Sequence, residues 1–125
     1  MSECDCGREK TVIITACSGA ANTGLLADSV ARRLRAGKAG SMTCLAALGA
    51  GLSGYVESAR AADRNIVLDG CPVACGAKIY AKLGLPFEGY LMTDFGVEKG
   101  KTEITAELVE SVAERVAEAL AADRA

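Results

Sequence analysis

The chain has 125 residues, half of them hydrophobic and 4% aromatic, and its 14 basic and 16 acidic side chains leave a net charge of −2. This length suffices for one domain with a buried aliphatic core, and the absence of a basic stripe with interleaved aromatic residues argues against nucleic-acid binding. No apolar run approaches the roughly 20 residues of a membrane helix, and the polar start MSECDCGREK is unlike a signal peptide. We therefore expect a cytoplasmic protein.

Strand and helix signals alternate along the chain. Residues 1–9 are expected to form a flexible arm, and residues 10–125 a single α/β metal-binding domain. Strands are predicted at 10–16, 41–45, 65–68 and 89–93, and helices at 23–36, 54–62, 72–83 and 105–120. The order βαβαβαβα predicts a three-layer, Rossmann-like open parallel sheet of about four strands with helices on both faces.

Local signals mark several helix ends. Asn22 or Thr23 can cap the first helix, because short polar side chains accept hydrogen bonds from free backbone N–H groups. The glycine-rich stretch 46–54 is expected to be an irregular crossing. Pro72 suits the first position of the third helix, where its missing N–H is no loss. In that arrangement Cys71 is the N-cap residue and Cys75 lies one turn inside the helix.

Four cysteines fall at the predicted strand ends or one helical turn beyond them. Cys17, Cys44 and Cys71 lie at the ends of three strands, at intervals of 27 residues, and Cys75 comes four residues after the last. Because the carboxyl ends of parallel strands share one edge of a sheet, where ligand sites form, these thiols can meet. The chain contains no histidine, so a zinc or iron site must use sulfur, with or without a carboxylate, and catalysis by Ser-His or Cys-His pairs is excluded.

The residues leave three uses of this cluster open. Zinc takes four thiolates in a closed tetrahedral site, and an iron–sulfur cluster takes the same ligand set. The third use is a thiol redox, sulfur-transfer or arsenic- or mercury-handling enzyme, in which Cys71 attacks and Cys75 or Cys17 resolves the intermediate. Ligand type alone does not distinguish zinc from other thiophilic metals.

Other polar residues carry weaker signals. Cys4 and Cys6 in the arm are accessory ligands, a metal-delivery pair, a resolving pair or thiols without a role. Asp69 and Asp94, at the ends of the third and fourth strands, either assist the site or cap turns and helices, which is the commoner use of such aspartates. The three lysines Lys78, Lys99 and Lys101 are expected to be solvated surface charges.

Four segments together resemble the DGC-domain family of proposed zinc-binding proteins. The central one is DGCPVACGAK at 69–78, and the others are CSGAANTG at 17–24, MTCLAALGAGLSGYVESA at 42–59 and TDFGVEK at 93–99. The resemblance spans roughly residues 11–100. It implies zinc as the cofactor, a metal ion as the partner, and chelation by the four cysteines Cys17, Cys44, Cys71 and Cys75. Ala21 departs from the family pattern, which has serine there.

Overall fold

The computed structural model describes residues 10–122, and four parallel strands form its central sheet. The strands are β1 (Val12–Ala16), β2 (Ser41–Met42), β3 (Arg64–Asp69) and β4 (Glu88–Leu91). The helices are α1 (Asn22–Ala36), α2 (Leu45–Gly49), α3 (Ser53–Ala61), α4 (Cys75–Lys82) and α5 (Ala106–Ala122), and a 3₁₀ turn spans Met92–Phe95. The expected arm at 1–9, with Cys4 and Cys6, lies outside the described residues. Within the described range, every helix is too short or too polar to cross a membrane.

The order of the strands creates a crevice in the middle of the sheet. The strands run in the order β2-β1-β3-β4, and all neighbours are parallel. The chain leaves β1 toward β2 on one side and then crosses to β3 on the other side. Ligands bind at such a reversal of strand order in open α/β sheets, just beyond the carboxyl ends of the two strands. The predicted α/β open parallel sheet is confirmed.

Helices cover both faces of this sheet. Alternate residues of a strand point to opposite faces, and Ile66 and Leu68 of β3 pack with α1 and α5, whereas Val67 packs with α2, α3 and α4. The first cluster is centred on fully buried aliphatic side chains such as Leu26 and Val116, and the second on Leu48 and Tyr80. Each face of the sheet therefore has its own hydrophobic core.

The crossing at 46–54 is more regular than its glycine content predicts. Leu45–Gly49 forms α2, because the run Leu-Ala-Ala-Leu favours a helix and Leu48 is fully buried in the second core. The conformational freedom of glycine is used only after the helix, where Gly51 has a positive φ of 73°. The preceding strand β2 has two residues rather than five, since it lies at the edge and pairs only with β1.

The first helix begins without the cap that the sequence predicts. Ala21 is the N-cap residue, with φ −74° and ψ 161°, and alanine has no side-chain oxygen that could accept a hydrogen bond. The side chain of Asn22 bonds instead to backbone atoms of residues 98–102, and Thr23 is buried. Capping by Asn22 or Thr23 is therefore wrong.

We expect Ala21→Ser to stabilise the fold. A serine hydroxyl at an N-cap position accepts a hydrogen bond from the first helical turn and is worth about 1 kcal/mol over alanine, or a rise in Tm of roughly 3–5 °C for a domain of this size. Thermal melts of the two proteins measure the difference. Ala21→Val, which adds no acceptor, is the control and should bring no gain. An unchanged Tm for Ala21→Ser would contradict the assignment of residue 21 as the cap.

Tyr80 carries a polar group that the second core does not satisfy. Its side chain is fully buried, its hydroxyl has no hydrogen-bond partner within residues 10–122, and burial raises its pKa to about 12. A buried hydroxyl without a partner is destabilising by about 1–3 kcal/mol. We therefore expect Tyr80→Phe to increase the free energy of unfolding in urea titrations by about 1 kcal/mol.

The control for Tyr80 separates the hydroxyl from the ring. The ring packs against Phe87, with 5.9 Å between ring centroids, and Tyr80→Leu should lower the stability because it removes that contact. A loss of stability in Tyr80→Phe would mean that the hydroxyl does have a partner.

Candidate metal and thiol site

A cleft of about 310 Å³ opens where strand order reverses, beyond the ends of β1 and β3. Three of the four predicted cysteines line it: Cys17 follows β1, Cys71 follows β3, and Cys75 is the first residue of α4. We call it the thiol cleft. The helices after the two strands lie on opposite faces of the sheet, which leaves this crevice between them.

Cys17 is held at the base of the thiol cleft by the sheet itself. Its backbone N–H donates to the carbonyl oxygen of Leu68 at 2.9 Å, which extends the β1–β3 ladder by one step. Burial, followed by the charges of Cys75 and Asp69, raises the pKa of the Cys17 thiol, while N–H donation from Gly70 and Gly19 acts in the opposite direction. The protonated thiol is therefore favoured in the absence of a bound metal ion.

Asp69 fixes where α4 begins. Its side chain is buried, and the two carboxylate oxygens accept hydrogen bonds from the backbone N–H groups of Gly76 at 2.7 Å and Ala77 at 3.0 Å. These N–H groups belong to the first helical turn and have no partner within the helix. A carboxylate there also interacts favourably with the positive end of the helix dipole. The expectation that this aspartate caps a helix is confirmed.

The start of α4 corrects the predicted role of Cys71. The helix begins at Cys75 rather than at Pro72, and its N-cap is Ala74, which adopts left-handed angles of φ 53° and ψ 53°. Residues 71–74 form a turn closed by the N–H of Ala74 and the carbonyl oxygen of Cys71 at 2.9 Å. Cys71 is therefore neither the N-cap nor one turn before Cys75 on a shared helix. The cause is Asp69, which binds the amides of residues 76 and 77.

Two glycines allow the turns around the cleft to touch. A Cβ atom on Gly70 would lie 2.8 Å from the carbonyl carbon and Oγ1 of Thr23. A Cβ atom on Gly76 would lie 2.7 Å from Cγ1 of Val67 and 2.9 Å from Oδ1 of Asp69. In the sequence Asp69-Gly70-Cys71, the aspartate thus caps α4, the glycine allows a close approach to the start of α1, and the cysteine places a thiol on the cleft.

The thiols differ in exposure and in neighbours. Cys71 is half-buried, and the Nζ atom of Lys99 donates a hydrogen bond to its Sγ atom at 3.5 Å. Cys75 is exposed at the mouth of the thiol cleft. All four predicted site cysteines are free thiols rather than disulfides.

Cys44 lies beside the thiol cleft and does not line it. It is the exposed N-cap residue of α2 and lines an adjoining, wider cleft of about 800 Å³, which shares Cys17 with the first. Across residues 10–122, no group of three or more cysteine, aspartate or glutamate side chains is already placed to hold a metal ion. Chelation by all four cysteines therefore stays a prediction.

Two residues that contribute to the site's surroundings were not predicted to do so. Lys99 is exposed, as predicted, but it also lines the thiol cleft, and Asn22 anchors the loop that carries it. Asn22 belongs to CSGAANTG and Lys99 to TDFGVEK, two of the segments that resemble the DGC-domain family. Membership in these segments was the sequence signal that could have indicated a role for both residues. Asp94 is exposed in the 3₁₀ turn after β4 and does not line the cleft.

Comparisons with known proteins agree with these motifs. A segment of 63 residues is 36% identical to the Anaerobic and virulence modulator AnvM of Pseudomonas aeruginosa, and covers 50% of this chain and 48% of that protein. The chain thus matches about half the length of this relative. No solved structure matches the chain. The family model described as DGC domain matches residues 13–116, which include all four cysteines discussed above. The chain belongs to the DGC-domain family.

Proposed function

We propose that this protein is a cytoplasmic metal-binding protein whose site holds one thiophilic ion, zinc foremost. Cys17, Cys71 and Cys75 are the principal ligands, and Cys44 is the fourth. The observation that carries the proposal is the presence of three free thiols on one cleft, two of them just after adjacent parallel strands and the third at the start of α4. A reducing compartment is consistent with free thiols at these positions.

The chemistry of the donor set fits zinc. Zinc binds up to four cysteine thiolates in a tetrahedral site, and a chain without histidine has sulfur as its main soft ligand. Because the described side chains are not yet at coordinating spacing, binding must draw them inward. Cys44 and Cys75 are exposed and have room to turn. Cys17 would release its proton on binding, so that protons and metal compete for it.

A regulatory role suits this site better than a structural one. Both faces of the sheet already carry packed hydrophobic cores, whereas domains that depend on zinc for folding are usually too small to build such cores. A closed thiolate site also leaves no open position for a reacting water. The relative described above is called a modulator. We therefore propose metal sensing or trafficking rather than hydrolysis.

The metal assignment is tested by elemental analysis and a visible spectrum of protein purified without air or chelator. We expect one zinc per chain and no visible colour, since a colourless protein excludes an iron–sulfur cluster. Cys17→Ser and Cys71→Ser should each weaken zinc binding at least about tenfold, because each removes a thiolate ligand.

Ser18→Ala is the matched control, since Ser18 is exposed, follows Cys17 directly and offers no thiolate. It should bind zinc like the unmodified chain. Thermal melts without metal show whether each variant is folded. Unchanged zinc affinity in folded Cys17→Ser and Cys71→Ser would sink the ligand assignment.

A second function is favoured by the contact between Lys99 and Cys71. The Nζ atom of Lys99 lies 3.5 Å from Sγ of Cys71, and the attacking form of a cysteine is the thiolate. In the exchange we propose, the Cys71 thiolate attacks a disulfide of a partner and one partner thiolate leaves. Cys75 or Cys17 then attacks the mixed disulfide, which yields a disulfide in this protein and a reduced dithiol in the partner.

Alkylation of the metal-free protein separates the two functions. If Cys71 is an attacking thiol, iodoacetamide should modify it faster at neutral pH than Cys44, even though Cys44 is the more exposed of the two. Peptide mass spectrometry measures both rates in one sample. Slower modification of Cys71 than of Cys44 would contradict the exchange function and leave the metal site as the better account.

A further inference from the structure

The loop formed by residues 98–102, here called the clamped loop, is fastened to the start of α1 by one side chain. Nδ2 of Asn22 donates to the carbonyl oxygens of Glu98 at 3.0 Å and Thr102 at 2.8 Å, and its Oδ1 accepts from the N–H of Gly100 at 2.6 Å. Three internal bonds tighten the loop, because Thr102 Oγ1 accepts from the N–H of Glu98, and the Glu98 carbonyl oxygen accepts from the N–H groups of Lys101 and Thr102.

The clamped loop places a positive charge over the thiol cleft. Lys99 lies between two of the residues that Asn22 holds, Glu98 and Gly100, and its Nζ atom reaches Sγ of Cys71 at 3.5 Å. Val97, just before the loop, is buried in the first core. Because the loop is anchored both by that core and by Asn22, the direction in which Lys99 leaves the backbone is defined.

We propose that Asn22 is a positioning residue for the thiol cleft, acting through the clamped loop to hold Lys99 as a countercharge for a metal–thiolate centre. This inference rests on the proposed metal site. A zinc ion with three or four thiolates has a net negative charge, and a cation fixed beside one sulfur offsets part of it. Mutation of a residue that contacts a metal ligand in this way typically lowers metal affinity by about 10–100-fold.

The chemistry of position 22 is specific to an amide. Asn22 donates two hydrogen bonds and accepts one, and on so short a side chain only an amide offers two donors together with an acceptor, since a hydroxyl has a single donor. Aspartate at this position could accept from Gly100 but could not donate to the two carbonyl oxygens. Asn22 is also the first residue of α1, at the end of the loop that follows Cys17, so the same residue links the Cys17 side of the cleft to the charge beside Cys71.

The test is a set of zinc affinities measured by competition with a colorimetric chelator, with zinc alone as the probe. We expect Lys99→Met to bind zinc about tenfold more weakly. Lys99→Arg keeps the cation and should bind within about twofold of the unmodified chain. Lys101→Met is the control, because Lys101 is exposed in the same loop and does not line the cleft; it should change nothing.

Asn22→Ala and Asn22→Asp should weaken zinc binding about as much as Lys99→Met does. The double variant Asn22→Ala with Lys99→Met should be no weaker than Lys99→Met alone, because residues that act through one another are not additive. Metal-free readouts accompany these affinities: a thermal melt reports folding, and faster amide hydrogen exchange at Gly100 in Asn22→Ala reports release of the loop.

Two outcomes would overturn the inference while leaving the metal site intact. One is unchanged zinc affinity in Lys99→Met, and the other is a double variant whose loss is the full product of the two single losses. If the unmodified chain itself binds no zinc, the proposed function fails, and the inference fails with it.

Discussion

The geometry of the thiol cleft depends on the hydrogen bonds that the buried carboxylate of Asp69 accepts. This carboxylate accepts the N–H groups of Gly76 and Ala77, and so α4 begins at Cys75 and residues 71–74 turn across the end of β3. Hydrogen bonds to a charged acceptor are stronger than neutral ones, and their loss would leave free donors at the start of the helix. Both thiols of the β3–α4 connection take their positions from this one interaction.

The parallel sheet and the placement of three of the four thiols on one cleft could be predicted because both follow from simple patterns. Apolar β-branched runs mark β1 and β3, and alternation with helices fixes a parallel sheet whose strand ends share one edge. Cys17 directly follows β1 and Cys71 comes two residues after the end of β3, and these two central strands are hydrogen-bonded neighbours. The proximity of these two cysteines therefore follows from the strand order alone. Cys44 follows the short edge strand β2 and lies one cleft away.

The details that could not be predicted are tertiary. The left-handed conformation of Ala74 is unfavourable for a non-glycine residue, so the sequence favoured a helix from Pro72. The structure instead begins α4 at Cys75, where Asp69 binds the N–H groups of Gly76 and Ala77. The contacts of Asn22 with the clamped loop join residues 76 to 80 positions apart, and Lys99 meets Cys71 across 28 positions. Neither contact produces a local periodic pattern in the sequence. Taken alone, Asn22 resembles an ordinary helix cap and Lys99 a solvated charge.

The central claim is that thiols from separate strand ends bind one metal ion. Zinc-edge X-ray absorption on the zinc-bound protein tests it most directly, because the spectrum gives the number of sulfur neighbours and their distance. The account predicts four sulfur atoms at about 2.3 Å, and three in the Cys44→Ser variant. A zinc ion surrounded mainly by oxygen, with two sulfur atoms or fewer, would contradict it.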